Sequence, residues 1–380
     1  MSRLEEFARL ARQLEAERRD AAKAVPLIVT DPERFLDEPL RREWLTLGMV
    51  EALCSAARTE LVRSPERSLH IAQLATTIAE ALVESYPRLI RVQVQAQAWK
   101  AMSNAHRLAS RHPAALLALD VADRRIADEP ALAHDRATLA LARAITLREM
   151  DRTAEALLLL EGSREVFRNH RDLRQVAQCD LVIGMTHHRT GRFAEARQAF
   201  MRVIPVARAE DDLHTMAAAY NNLGRAAADA GDLNASVDAL QQARSIFREL
   251  EMPTEIARTN WSIGVAQLSA ARFDSAIGML SEVRAELLKL GMPEEAGLAG
   301  VDLIEALLAT NARAAARDLA VTIVEEFRNA RLNERALQAL SYLRETADVA
   351  TAETAHQIGT YLRRLTNEPA LLFVAPDRNR

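Results

Sequence analysis

The chain has 380 residues, 49% hydrophobic and 27% charged, with only 12 glycines and 12 prolines; this is ample apolar material for a core and excludes wholesale disorder. Forty-nine basic residues against 53 acidic ones give a formal net charge of −4, which excludes a general attraction to nucleic acid or anionic membranes. Alanine, leucine, arginine and glutamate dominate while β-branched runs are scarce, so the composition predicts an all-α protein.

Residues 1–40 read as a charged helix over 2–24 followed by an irregular connector, "PLIVTDPERFLDEPL". The opening "MSRLEEFARLARQLEAERRDAAKAV" mixes charges throughout and lacks the apolar core of a signal peptide. Leu4, Phe7, Leu10 and Leu14 share one face of it, a candidate regulated element or dimer contact. No stretch approaches the roughly 18–20 apolar residues that span a bilayer, and the expectation is a soluble, cytoplasmic protein without a membrane partner.

Residues 41–95 form a divergent helix pair, "EWLTLGMVEALCSAARTELV" and "SPERSLHIAQLATTIAEAL". Cys54 and Cys179 are too few for the disulfide framework of a small secreted domain and sit in helical apolar patterns, so they read as buried reduced thiols. Residues 96–330 carry a repeat array, whose first unit fits "WKAMSNAHRLASRHPAALLALDVA" with Trp99, Met102, Ser103, Ala115 and Leu119 in the key places. Residues 331–366 hold a closing pair of capping helices, "NERALQALSYLRETADV" and "TAETAHQIGTYLRRL", and 367–380 are an irregular, loosely held tail.

The array announces itself by spacing. Gly184, Gly224 and Gly264 stand 40 residues apart, and the same step reaches Ala144 upstream and Ile304 downstream. Twelve residues after each come Ala156, Ala196, Ser236, Ala276 and Ala316; four further on stand Leu160, Phe200, Leu240, Leu280 and Ala320. Gly or Ala at a helix crossing lets two backbones approach, and the larger residue one turn later fills the space between neighbours. At the expected turn stand Asp151, Gly191, Gly231, Ala271 and Asn311, mostly residues that suit a left-handed helix end. Ala271 breaks that rule and implies a different turn. Pro253 and Pro293 mark joints between repeats. No helix pair of this kind buries its apolar face alone, so the pairs must stack into an α-solenoid of antiparallel helix pairs.

Leu223, Gly224, Gly231, Leu233, Ser236 and Leu240, with Ile183, Gly184, Phe193, Ala196 and Phe200 before them and Ile263, Gly264, Phe273, Ala276 and Leu280 after, make the pattern resemble the tetratricopeptide repeat (TPR) family. The basic repeat is usually about 34 residues; the 40-residue unit here is similar to the long-repeat type of bacterial regulators. The resemblance implies a right-handed superhelix whose first helices line a concave groove. It places Asn221, Asn222, Arg225 and Asp229 on that wall, with Arg258, Trp261 and Ser262 from the next repeat and Gln178, Met185, His188 and Arg189 from the one before. In related peptide-binding proteins an asparagine near the position of Asn222 holds a peptide backbone, for which a carboxamide offers donors and an acceptor. Lys100 and Asn104 match half of a carboxylate clamp known in the family, but Ala142, Gln178 and Val182 replace the rest, so they remain groove candidates only.

Catalytic signatures are missing. His187 and His188 are adjacent and point about 100° apart on a helix, so they cannot clasp a metal from one face. No HExxH, CxxC, GxxxxGK[ST] or GxGxxG occurs, and Asp211 and Asp212 fall in a loop as solvated acids. No helix-turn-helix with a basic face points to DNA. The expectation is therefore a non-enzymatic scaffold or adaptor, without cofactor or metal, whose groove binds a protein or peptide segment. The alternative is a regulatory sensor whose array binds a transcription regulator or signalling peptide, and the end repeats or N-terminal helix offer a contact for a homo-oligomer.

Overall fold

The computed structural model describes residues 3–37, 41–61, 63–82, 86–329, 334–346, 349–365 and 371–376. Among them eighteen α-helices follow one another with no β-strand. These are α1 (Arg3–Thr30), α2 (Pro32–Asp37), α3 (Leu47–Glu60), α4 (Pro65–Glu80), α5 (Arg88–Leu108), α6 (His112–Ile126), α7 (Ala133–Glu149), α8 (Thr153–Asn169) and α9 (Leu173–Arg189). They continue as α10 (Phe193–Ala209), α11 (Leu213–Asp229), α12 (Leu233–Glu249), α13 (Pro253–Ser269), α14 (Phe273–Lys289), α15 (Pro293–Ala309), α16 (Arg313–Asn329), α17 (Glu334–Thr346) and α18 (Ala352–Leu365). The fold is all-α, a solenoid of antiparallel helix pairs. It divides into two compact units, residues 1–186 and 187–380, with the boundary inside α9.

In the first unit, α1, α3, α4 and α5 share a core around Leu53, Ile71, Leu74 and Ile78. The structure corrects the reading of residues 25–37, which are helical rather than irregular: α1 runs through Pro26 to Thr30, and α2 follows at once. A proline inside a helix removes one ladder bond and crowds the preceding turn. Burial of Ala21 and Ile28 on either side outweighs that cost, and Thr30 donates its hydroxyl to the Pro26 carbonyl at 2.9 Å. Leu10 and Leu14 pack against this same core, which spends on the chain itself the face expected for a dimer contact; the side chains of Leu4 and Phe7 lie outside the described residues. A Cβ on Gly48 would stand 2.7 Å from the backbone of Glu17 and Arg18, so α1 and α3 cross at a distance only glycine permits.

The forty-residue step is realised as helices of 17 residues joined by loops of three. Every such turn carries a left-handed residue: in the second unit Gly191 (φ 72°), Gly231 (79°), Ala271 (55°) and Asn311 (61°), with Asp211, Glu251 and Gly291 doing the same at the alternate loops. Ala271 therefore does not make a different turn. Its N–H donates to Leu268 and that of Arg272 to Gln267, both at 2.9 Å, the paired bonds that close a helix end; packing on both sides holds alanine in a conformation costing about 1–2 kcal/mol. Asp211 and Asp212, expected as merely solvated, are a turn residue and an N-cap: the Asp212 carboxylate accepts the Thr215 N–H at 3.0 Å. Pro253 and Pro293 occupy the first positions of α13 and α15, where the missing N–H costs nothing.

The C-terminal end departs from a simple closing pair. α18 packs mainly on α15 rather than on its sequence neighbour α17. The tail is also held in part: Phe373 sits 5.1 Å from the Tyr361 ring and 5.8 Å from that of Tyr342, ring centre to ring centre. Both tyrosine hydroxyls donate to tail carbonyls, Tyr361 to Leu371 at 3.0 Å and Tyr342 to Pro376 at 3.1 Å. Residues 366–370 and 377–380 lie outside the described residues.

Candidate functional site

In the second unit, α11, α13 and α15 are the first helices of successive repeats. The 17-residue α11 puts Ala218, Asn221, Asn222, Arg225, Ala228 and Asp229 along one face, and all six line a cavity of about 750 Å³. From α13, Arg258, Trp261, Ser262, Val265 and Ser269 line the same cavity. The site exists because small residues elsewhere let these helices approach their partners: a Cβ on Gly224 would fall 2.6 Å from Leu240 Cγ, and one on Gly264 would fall 2.8 Å from Leu280 Cδ2. With the small residue facing the second helix, the residues two and three places before it face the cavity.

The cavity has further walls that sequence reasoning missed. Glu295 and Asp302 come from α15, His214 from α11, and His356 and Arg363 from α18. The spacing does contain a signal for Asp302, which occupies in its repeat the place that Asn222 and Ser262 hold in theirs. No periodic signal exists for His356 or Arg363, because α18 lies outside the forty-residue step.

Most of the charged groups hold one another. The buried Asp302 accepts the Trp261 indole N–H at 2.7 Å on one oxygen and an Arg363 N–H at 2.9 Å on the other. Arg258 forks onto Glu295 with bonds of 2.9 and 2.5 Å and adds one to Glu255 at 3.0 Å. The bonds to Glu295 raise its pKa above the usual guanidinium range. His188, at the end of α9, meets Asp229 at 2.7 Å, and His356 meets Glu305 at 3.1 Å. Burial raises the Glu305 carboxyl above its ordinary range, against the opposing pull of His356.

Three cavity residues keep unused capacity. Asn222 donates one amide hydrogen back to the Ala218 carbonyl at 2.9 Å, which fixes its carboxamide, while its oxygen accepts no bond among the described residues. The Asn221 oxygen is buried and also without a donor among the described residues. The Arg225 side chain makes no hydrogen bond or ion pair among the described residues and opens to the cavity. Burial of its inner part lowers its pKa; Asp229 opposes that effect, and Arg363 adds a like charge.

The structure thus brings Asn221, Asn222, Arg225, Asp229, Arg258, Trp261 and Ser262 together. Trp261 has two roles, packing against the neighbouring core clusters while lining the cavity. His188 reaches the site only through Asp229, and Arg189 at the end of α9 is exposed and does not line it. Lys100, Asn104 and Gln178 belong to the first unit and are half-buried there; Lys100 has its pKa lowered, first by burial and then by Arg58.

The cavity presents donors, acceptors and an indole rather than a nucleophile poised beside a base. Among the described residues no cluster of three or more His, Cys, Asp or Glu is placed to hold a metal ion, and no helix is long and apolar enough to cross a membrane. Burial pushes both thiols, Cys54 and Cys179, up to about 12, the opposite of an activated nucleophile.

A family model described as tetratricopeptide repeat matches residues 216–251, which span nearly all of α11 and α12 and end at the loop beyond. No curated protein matches the sequence. Among solved structures, the apo form of RapI is 10% identical over 95% of this chain and 98% of its own, with a TM-score of 0.61. A Rap protein complexed with Competence and Sporulation Factor is 14% identical over 95% of this chain and 99% of its own, with a TM-score of 0.55. The apo form of the quorum sensor NprR from B. thuringiensis is 12% identical over 94% of this chain and 99% of its own, with a TM-score of 0.52. At these identities the likeness is one of fold.

Proposed function

We propose that this chain, a tetratricopeptide-repeat protein, is a non-enzymatic binding module that holds a peptide or protein segment in the cavity of its second unit. One observation carries the reading. The first helices of successive repeats present Asn222, Arg225, Trp261 and Ser262 to a single space, and among these Asn222 keeps a carboxamide oxygen that accepts no bond among the described residues. A cavity of about 750 Å³ suits a few residues of an extended chain, whose alternating N–H and C=O groups match carboxamide and guanidinium partners. The structurally similar Rap protein complexed with Competence and Sporulation Factor supports the same use of the fold.

Photo-crosslinkers placed at Asn222 and Ser262 test it, with a third on the outer helix α12 at Gln241 as control. Capture of a partner at the two cavity positions is the expected outcome; capture confined to Gln241 overturns the reading.

A second reading, that of a regulatory sensor, is favoured by the seat of α18. This helix is tied to α15 by Arg363–Asp302 and His356–Glu305 while also walling the cavity, so an occupant presses on a terminal helix held by side-chain pairs. Likeness to a quorum sensor supports it. Hydrogen exchange of α18 that does not change on adding the captured partner would remove that support.

A further inference from the structure

Helix α18 sits where the forty-residue step does not put it. It lies on α15, with Ala355, Ile358, Leu362 and Leu365 buried, and an added Cβ on Gly359 would touch Val301 Cγ1 at 3.4 Å. Its polar residues meet two acids one turn apart on α15: Arg363 reaches Asp302 at 2.9 Å and His356 reaches Glu305 at 3.1 Å. The two pairs differ in kind. Asp302 has a permanent guanidinium and the Trp261 indole on its two oxygens. Glu305, its side chain 17% exposed, has His356 as its one hydrogen-bond partner among the described residues, and an imidazole is a cation only while it holds a proton. Burial raises the Glu305 carboxyl above its ordinary range; His356 opposes that, Asp302 reinforces it and Arg363 opposes it again. The remaining charges around α18 are engaged elsewhere. Arg225 of α11 feels Arg363 as a like charge, Arg313 of α16 donates to the Ala350 carbonyl just before α18, Arg344 of α17 pairs with Glu345, and Glu353 accepts from Gln357.

We propose that α18 is a proton-operated latch on the cavity, seated while the Glu305–His356 pair holds a proton and loosened when that proton leaves. With the proton in place, either the acid is neutral or the imidazole is its counter-charge, and α18 covers Glu305 at little cost. Once it has gone, a half-buried carboxylate faces a neutral ring, with the Asp302 charge one turn away and Arg363 bonded to Asp302. Freeing α18 returns Glu305 to water. The docked state therefore binds the proton more tightly than the released one, and docking weakens as pH rises from the ordinary carboxylate range through neutrality. His356 and Arg363 also wall the cavity, so loosening of α18 opens it at the α15 end. The regulatory use of that opening rests on the sensor reading above; the latch itself needs no occupant.

The test is hydrogen exchange of the full chain without any partner, between pH 5.5 and 8.5 and corrected for intrinsic exchange rates, with α12 as internal reference. Protection of α18 relative to α12 should fall about three- to tenfold from the lower pH to the higher, the scale of one partly exposed charge pair. Glu305→Gln, which keeps the size and polarity of the side chain but cannot ionise, should hold the ratio flat and lift it above the parent's at pH 8.5. His356→Gln should narrow the difference by lowering the value at pH 5.5, and it carries the test if Glu305→Gln does not fold. A ratio that stays constant in the parent, or a fall that persists in full in either variant, overturns the latch. The sensor reading then stands or falls on its own experiment with a captured partner. An equal loss of protection in α12 and α18 overturns the latch as well, because the repeats then loosen together.

Discussion

The Trp261 indole N–H and the Asp302 carboxylate meet at 2.7 Å from helices one repeat apart, and Arg363 of α18 approaches the other oxygen of the same carboxylate. Asp302 is 2% exposed, so its charge depends on these two donors. Asp302→Ala strands the indole N–H and releases the main ion pair holding α18 to α15. The expected loss is about 2–3 kcal/mol in urea unfolding, discounted from a fully buried pair because Arg363 is partly exposed. Trp261→Phe, which removes one donor and leaves the ion pair, should cost about 1 kcal/mol. Equal losses in the two variants would show that Arg363 adds nothing.

Gly224 and Gly278 lie in neighbouring repeats and predict opposite signs. An alanine Cβ at 224 would come within 2.9 Å of the Ser236 carbonyl, which belongs to a helix backbone and cannot step aside. Gly224→Ala should therefore destabilise the chain by about 1–2 kcal/mol, overpacking outweighing the gain in helix propensity. At Gly278 a Cβ meets nothing within 4 Å, so Gly278→Ala should stabilise by up to about 1 kcal/mol. Denaturant midpoints of the two variants check the pair; a shared sign contradicts the packing argument.

These glycines explain how much was legible in the letters. Where one residue must be small because a specific backbone is close, the sequence repeats that demand, and Gly224 with Leu240 gave both the register and the cavity-facing set on α11. Helix α1 obeys no repeat, and its passage through Pro26 is decided by the burial of Ile28, a tertiary effect with no local signature. Arg363 and His356 were invisible for a related reason: their place follows from α18 settling on α15, a contact spanning 61 residues in the case of Arg363 and Asp302. Asn222 was only half legible, since the sequence showed a carboxamide but not that one of its hydrogens is spent on Ala218.

Ala271 and Gly231 occupy equivalent turns with φ of 55° and 79°. Relief of left-handed strain should make Ala271→Gly stabilising by about 0.5 kcal/mol, after the extra unfolded-state entropy of glycine is subtracted. Gly231→Ala should cost about 1 kcal/mol for the converse reason. Thermal melts of the two variants should move in opposite directions.

Alkaline pH offers a separate handle. Cys54 and Cys179 are both pushed up to about 12 by burial, from an ordinary value near 9. Between those values the unfolded chain gives up its thiol protons while the folded chain retains them. The folded state then binds more protons, so stability falls as pH rises through this window and is unaffected by the thiols below it. Replacing both cysteines with alanine should flatten the fall in urea midpoint between pH 9 and 11. At neutral pH the native thiols should react with iodoacetamide far more slowly than in urea-unfolded protein.

Arg225 and Arg258 line the same cavity, and their partners predict different costs. Arg258 spans α13 and α15 through its fork on Glu295, so Arg258→Ala unties two repeats. The pair is partly exposed and water screens it, so the loss should be about 0.5–1 kcal/mol. Arg225 has no such pair, and the opposite charge of Asp229 and the like charge of Arg363 act on it against each other, so Arg225→Ala should leave stability within about 0.5 kcal/mol of the parent. Such an outcome would favour the proposed use of Arg225 by an occupant over a role in the fold. If urea unfolding shows Arg225→Ala to be as damaging as Arg258→Ala, Arg225 has a structural role and that distinction disappears.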